Sequence, residues 1–590
     1  MIDHLFGDDQ LRIGLPSGHD SVGSLICPPR GSKNPSYQRI FATLLLVGND
    51  MFKEIGNFIA EGINDTKLPL NLVYSLDNEP KALARSSMDE TPLAFSRHHW
   101  RTRHLKDFVR CQWQVSPMFI TSKRGEITHY KCREGEILPF MPVGPKQRLL
   151  FWGDNITPDP GVTNYGGNSV MFKCQIHESQ QNLRRYTTNK SGRAIAVKKL
   201  QSTVLEDFIN ERRMLVRLTP NTTQHLSKLL ATFETPYTSG NTPYHNYYLM
   251  FEWADMSLLD LWKRGHPTII EQCTLSQWVA QQCQGLAKAL DIIHEFKTHK
   301  SKSDPETRTH GFHGDIKPEN ILWYSNWEGC GHPFGVLQIT DFGLSSFHNT
   351  TTAIDIKARM LDHVYSPPES KLARRISQSL DIWTLGCLFL DFAAWLADGM
   401  RGFDNFEGAR MKEQFVKGWK EAAFYAVEEK IPGQTTVAIN EKVIEWMQNL
   451  CGSLDRCSQF ICDFVQVILD QMLVVENGED AVDNGQSEDV DSAYDGSPDS
   501  EPSMSMSKRI TAGQLALQLL KIVEKGETQE DYHVRGGQRI PNLRLHHDKR
   551  LQIVINESRK SVGEGIRKKR KHVETPSTAP AGGSSHLLAV

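Results

Sequence analysis

The stretch FHGDIKPENIL (residues 312–322) sets Asp315, Lys317 and Asn320 around a proline. By average residue usage, Asp-x-Lys-Pro-x-Asn arises by chance in roughly one chain in several hundred of this length. It does not stand alone. AVKK (196–199) lies upstream, TDFGLSS (340–346) follows, and PPE (367–369) comes after that, so the ordered set leaves coincidence negligible.

Outward from this stretch the chain changes character. From about 158 to 250 short strand-like runs dominate: SVMFKCQIH, AIAVKKL, LLATFET and YYLMFEW. One helical segment, TVLEDFINERRMLVRL (203–218), interrupts them. Past 257 the pattern turns helical, and SLDIWTLGCLFLDFAAWL (379–396) is apolar nearly all round, the mark of a buried central helix. A strand-rich lobe followed by a helical lobe is an α+β, two-lobed arrangement.

The residue types suit phosphoryl transfer, which needs a cover over the phosphates, a lysine for their charge, metal ions, and a group orienting the attacking hydroxyl. Lys198 ends a strand, where its ammonium would neutralise the α and β phosphates. Thirteen residues on, Glu211 lies on the helix face able to pair with it. Asp315 would orient or deprotonate the incoming hydroxyl, and Lys317 would stabilise the phosphoryl group in flight. Asn320 and Asp341 offer oxygen ligands to Mg²⁺, a hard cation.

These motifs resemble the eukaryotic protein kinase superfamily. The resemblance covers about residues 158–526, and Asp-Ile-Lys-Pro-Glu-Asn is similar to the serine/threonine type. ILPF (137–140), KCQIH (173–177) and DIWTLGCLFLDF (381–392) are similar to fungal serine/threonine kinase-like proteins with a helical N-terminal extension. The resemblance implies ATP and Mg²⁺ as cofactors and a protein hydroxyl as substrate. It implies Phe251 as gatekeeper, Glu252 to Ala254 as the hinge that meets adenine, and Asp381 as anchor of the catalytic loop. It further implies that Glu369 pairs with Arg509 and that His313 is packed in the core.

Two positions depart from the family. The phosphate-covering loop should read Gly-x-Gly-x-x-Gly, whereas NYGGNSVM (164–171) gives Asn164, Gly166 and Ser169. Gly166 and Gly167 still permit close backbone approach to phosphate. The usual arginine before the catalytic aspartate is Gly314; in the family that arginine docks a phosphorylated activation loop. Its loss leaves the acid, lysine and metal ligands in place, so the reading is an active kinase independent of activation-loop phosphorylation. The alternative is a pseudokinase scaffold that works through an N-terminal module and an acidic insertion.

The remaining sequence reads as appendages. Residues 1–36, rich in Gly, Pro and Ser, are expected to form a mobile arm. Phe41, Leu44, Leu45, Phe52, Ile55, Ile59 and Ile63 recur at helical spacing with a break at Gly48, giving a small, mainly helical module over 37–135. The stretch 476–503 has no Lys or Arg and is expected to be a disordered insertion in the helical lobe. After 527 the chain is polar and reads as largely disordered, with Arg567–His572 a candidate nuclear import signal. Net charge is −3, which favours neither nucleic acid nor membrane as partner. Eleven cysteines without paired Cys-x-x-Cys motifs suit reduced thiols in a cytoplasmic or nuclear protein, with Cys457 and Cys462 read as core packing.

Overall fold

The computed structural model describes residues 22–29, 34–48, 50–85, 93, 100–121, 126–133, 136–143, 162–166, 169–183, 194–219, 223–239, 242–265, 272–295, 297–298, 309–341, 364–368, 378–411, 423–431, 434–475, 509–536 and 552–556. The chain divides into two units: Met1–Leu261 with Glu319–Ser346, and Trp262–Pro318 with Phe347–Val590.

The first unit begins with a small core of its own. Helices α1 (Val22–Ile26), α2 (Gln38–Val47), α3 (Ile55–Ala60) and α4 (Thr102–Cys111) pack with the hairpin β1 (Leu70–Tyr74) and β2 (Pro80–Arg85). Ile40, Leu44, Ile55 and Phe58 are fully buried, and Phe58 stacks on Phe108 with centroids 5.6 Å apart. Helix α2 ends at Gly48, whose φ of 80° lets its N–H turn back to Leu44 O. The buried Gln112 closes the open end of β1, accepting from Leu70 N–H and donating to Leu70 O, both at 2.8 Å. Two sequence expectations change here. Leu45 faces solvent, and residues 22–26 form a helix whose Leu25 and Ile26 enter the core, because Tyr37 N–H donates to Ile26 O and ties them down.

A seven-stranded sheet follows, in the order β4-β10-β11-β9-β7-β5 with β6 also on β7. Its strands are β4 (His129–Lys131), β5 (Phe140–Pro142), β6 (Val162–Gly166), β7 (Ser169–Ile176), β9 (Ala194–Leu200), β10 (Leu229–Ser239) and β11 (Thr242–Glu252). Two short strands, β3 (Ile120–Thr121) and β8 (Gln181–Asn182), pair beside them in parallel. Helix α5 (Leu205–Leu218) links β9 to β10. Strand β7 alternates strictly, burying Val170, Phe172, Cys174 and Ile176. Met118, Ile120, Cys132 and Leu138, which precede β7 in the chain, are buried in the same core. Strands β5 and β4 cover the outer edges of β7 and β10, hydrogen-bonding rows that would otherwise be left open. The unit is completed by β12 (Met256–Ser257), β13 (Ile321–Tyr324) and β14 (Val336–Ile339).

The second unit is mainly helical: α6 (Gln272–His294), α7 (Ser379–Met411), α8 (Glu441–Cys451), α9 (Gln459–Val467) and α10 (Ala512–Thr528). Helix α7 is long and apolar enough to cross a membrane, but its most apolar 18-residue window is wholly buried among its neighbours, as the all-round apolar pattern requires. It breaks at Asp398 and Gly399. Beyond the break Arg410 returns to Asp391 at 2.8 Å, while Tyr365 Oη donates to the same carboxylate at 2.6 Å. The Arg410 guanidinium lies over the rings of Phe406 and Phe424.

The acidic insertion lies outside the described residues, but its flanks meet: Arg509 Nε donates to Val474 O at 2.7 Å and Ile510 N–H to Gln471 O. Helix α10 then starts with a capping box between Thr511 and Gln514. Past 527 the structure describes residues 528–536 and 552–556. Tyr532 and His533 are buried, and β17 (Gln552–Asn556) pairs with β16 (Gln434–Ile439), itself paired with β15 (Tyr425–Ile431). The run QIVIN has the β-branched character a strand needs once an edge is available to it.

Candidate active site

Each unit carries its own set of expected site residues. In the first, β9 delivers Lys198 and α5 delivers Glu211, as the strand and helix readings require. Lys198 Nζ reaches Glu211 Oε1 at 2.9 Å and Asp341 Oδ1 at 2.6 Å. Burial works against the Lys198 ammonium, but the carboxylates of Glu211 and then Asp341 outweigh it and raise its pKa above the ordinary lysine value. The lysine is thus held charged and fixed in direction. Asp341 takes a left-handed backbone, φ 65°, which aspartate tolerates better than most residues and which turns its carboxylate to Lys198.

The other members of this set lie on neighbouring strands. Met171 of β7 pairs in register with Lys198, and Gly166 pairs with Ser169 at the β6–β7 hairpin. Gly167 lies outside the described residues. Phe251 and Glu252 end β11 opposite Ala196 and Ile195 of β9. The backbone carbonyl of Glu252 accepts from Tyr324 Oη at 3.3 Å, and Ala254 packs against the Tyr324–Trp327–Val336 cluster. Nothing in the run ILWY marks Tyr324 apart from an ordinary core residue of a strand. Thr340 N–H donates to Asn320 O at 3.0 Å, so the two expected metal ligands, Asn320 and Asp341, are one residue apart across a backbone hydrogen bond. The amide and carboxylate oxygens of this pair fit a hard divalent cation such as Mg²⁺.

In the second unit Lys317 Nζ donates to both oxygens of Asp315 at 2.8 Å. Asp315 N–H donates to His313 Nδ1 at 3.2 Å, and His313 is fully buried, a packed ring as the family resemblance implies. The loop hangs from Asp381 on α7. Asp381 Oδ2 accepts from His313 N–H at 2.7 Å and from His294 Nε2 at 2.9 Å, and Oδ1 accepts from Gly314 N–H at 2.8 Å. Burial would raise the Asp381 carboxyl, yet the His294 hydrogen bond and charge, with His313 and Gly314, hold it below the usual carboxylate value. Gly314 has φ 83°, a conformation costly for a side-chain-bearing residue. Glycine at 314 therefore does two things at once, removing the arginine and relaxing the backbone where Asp381 grips it.

Glu369 and the loop residues Ser345, Ser346, Thr350, Thr351 and Thr352 lie outside the described residues, so the expected Glu369–Arg509 pair does too. Arg509 itself is buried, with Nη1 donating to Ser379 O at 3.2 Å. Cys457 and Cys462 meet at 3.3 Å, and Cys451 joins them, all three Sγ lying within 4.8 Å of one another. Structural zinc takes four protein ligands, and the described residues supply three here.

An α+β chain with a strand lysine paired to a helix glutamate, and a buried-aspartate anchor under an Asp-x-Lys-Pro-x-Asn loop, has the architecture of the protein kinase fold. Residues 182–471 match the protein kinase domain family, and the chain carries a domain of the eukaryotic protein kinase superfamily. Among curated relatives, it is similar to GLH-binding kinase 1 of Caenorhabditis elegans, 27% identical over 33% of this chain and 43% of that protein. Cyclin-dependent kinase 2 of the same organism is 30% identical over 25% of this chain and 34% of its own. The DYRK-family kinase pom1 of Schizosaccharomyces pombe is 34% identical over 18% of this chain and 8% of its own. The chain spans less than half the length of each of these relatives.

Proposed function

We propose that this chain is an ATP- and Mg²⁺-dependent serine/threonine protein kinase that does not need phosphorylation of its activation loop. The observation that carries the reading is Lys198 held between Glu211 and Asp341, the pairing a kinase needs for nucleotide phosphates. Asp315 orients the substrate hydroxyl and takes its proton, and Lys317 offsets charge on the phosphoryl group. Asn320 and Asp341 would hold Mg²⁺, which neutralises charge on the phosphates when bound. Gly166, Gly167 and the backbone from Glu252 to Ala254 would meet the nucleotide. A protein hydroxyl is the acceptor, in the cytoplasm or the nucleus, with Arg567–His572 the candidate import signal.

The test is transfer of labelled γ-phosphate from ATP with Mg²⁺ to the protein itself and to a generic basic protein, beside Lys198→Met. Signal that vanishes in Lys198→Met supports the kinase. Absence of both transfer and nucleotide binding in the wild type would move the weight to a pseudokinase scaffold, a reading favoured by Asn164 and Ser169 standing where the phosphate loop expects glycine.

Independence from loop phosphorylation makes a separate prediction. Replacing Ser345, Ser346, Thr350, Thr351 and Thr352 together by alanine should leave the transfer rate within tenfold of wild type. A larger loss would mean that a loop phosphate is required despite Gly314.

A further inference from the structure

Glu211 is useful only if α5 presents it to Lys198, and the structure carries a second set of contacts on the same helix. Phe208, Glu211 and Arg212 lie within one turn or so of each other, so they share a face. Glu211 meets Lys198. Phe208 is buried, stacked on Tyr247 at 4.6 Å with 12° between the rings, and close to the His129 ring at 5.3 Å. Arg212 donates from Nε to Thr232 Oγ1 at 3.1 Å and from Nη2 to Ile127 O at 3.3 Å.

The partners Ile127 and His129 come from the N-terminal segment rather than from the matched domain. Strand β4 lies parallel to β10, with His129 opposite Thr232 and Lys131 opposite Glu234. Thr232 N–H donates to Thr128 O at 3.0 Å and Cys132 N–H to Glu234 O at 2.9 Å. The side chains form a continuous line: Arg212 Nε–H donates to Thr232 Oγ1, and Thr232 Oγ1 lies 3.0 Å from His129 Nδ1, within hydrogen-bond distance. His129 Nε2 in turn faces the Glu234 carboxylate at 3.6 Å. Arg212, Thr232, His129 and Glu234 thus make one polar line between α5, β10 and β4.

We propose that the segment 127–132 is a built-in brace for α5, in which Arg212, through Thr232 and His129, is a positioning residue that keeps Glu211 on Lys198. The inference rests on the kinase reading for its catalytic consequence but not for its structural one. The brace places the helix without calling on a docked activation loop. That accords with an activation-loop dock that lacks its arginine at Gly314.

Two readouts separate the parts. The first is amide hydrogen exchange of residues 205–218 in the full chain, which needs no activity. Arg212→Ala and, independently, His129→Ala should raise exchange there at least tenfold, with the α2 and α6 amides unchanged and Arg212→Lys intermediate. The second is phosphotransfer: Arg212→Ala should lower kcat at least tenfold with the KM for ATP altered less than threefold. Added to Glu211→Gln it should cost little more, because it acts through Glu211. Unchanged exchange in both single variants overturns the brace, and so does a full, additive loss on top of Glu211→Gln. If the wild type transfers no phosphate but the exchange prediction holds, the brace stands and the kinase reading fails.

Discussion

Asp381→Ala is expected to destabilise the second unit by about 3–5 kcal/mol, the usual consequence of removing one partner from a buried charged network. The carboxylate is fully buried and accepts from three donors, the N–H groups of His313 and Gly314 and His294 Nε2. Alanine leaves all three without an acceptor, and each orphaned donor costs about 1–3 kcal/mol. Asp381→Asn keeps one acceptor oxygen and should lose roughly half as much. Where the alanine variant still folds, phosphotransfer should drop on the order of a hundredfold, since a catalytic group displaced by about 1 Å loses that much. Urea unfolding and a transfer assay check both, and a midpoint equal to wild type would show that Asp381 does not hold the loop.

The same residue makes a signed prediction about pH. Its folded-state pKa lies below its unfolded value, so the folded state binds fewer protons as pH falls through that interval. The stability it contributes is fully present above the ordinary carboxylate value near 4 and is lost on acidification below it. Asp381→Asn should therefore show a shallower loss of stability between about pH 4 and pH 2 than wild type does.

Asp315→Asn should lower kcat by about 10²–10⁴-fold, the range for losing a positioned acid–base group, while nucleotide affinity changes little. The amide keeps one oxygen for Lys317 but loses the charge that both 2.8 Å hydrogen bonds now meet. Loss of rate at constant affinity is the signature of an interaction made in the transition state alone. Lys198→Met should behave differently, weakening nucleotide binding along with the rate, because its ammonium is directed at ground-state phosphates too. Equal rates for wild type and Asp315→Asn would remove Asp315 from the chemistry.

The motif residues were legible because their spacing is set by local geometry. Asp315, Lys317 and Asn320 lie on one short loop, and the strand carrying Lys198 and the helix bearing Glu211 follow from patterns of period 2 and 3.6. Residues 22–26 and 552–556 were not legible. A five-residue helix and a five-residue strand have no internal signal strong enough to outweigh polar surroundings, and each is ordered by a partner distant in sequence.

What the sequence by itself determined is therefore the α+β class, the buried central helix and the identity of the candidate catalytic residues, since each is written in a local pattern. What only the tertiary structure decided is how they are held: Asp381 gripping a loop whose glycine allows φ 83°, and β4 capping the edge of β10 beside α5. Those contacts join Gly314 to Asp381 and Ile127 to Arg212, 67 and 85 residues apart. Periodicity has no reach over such separations, and only the closing of long loops around a packed core brings the partners together.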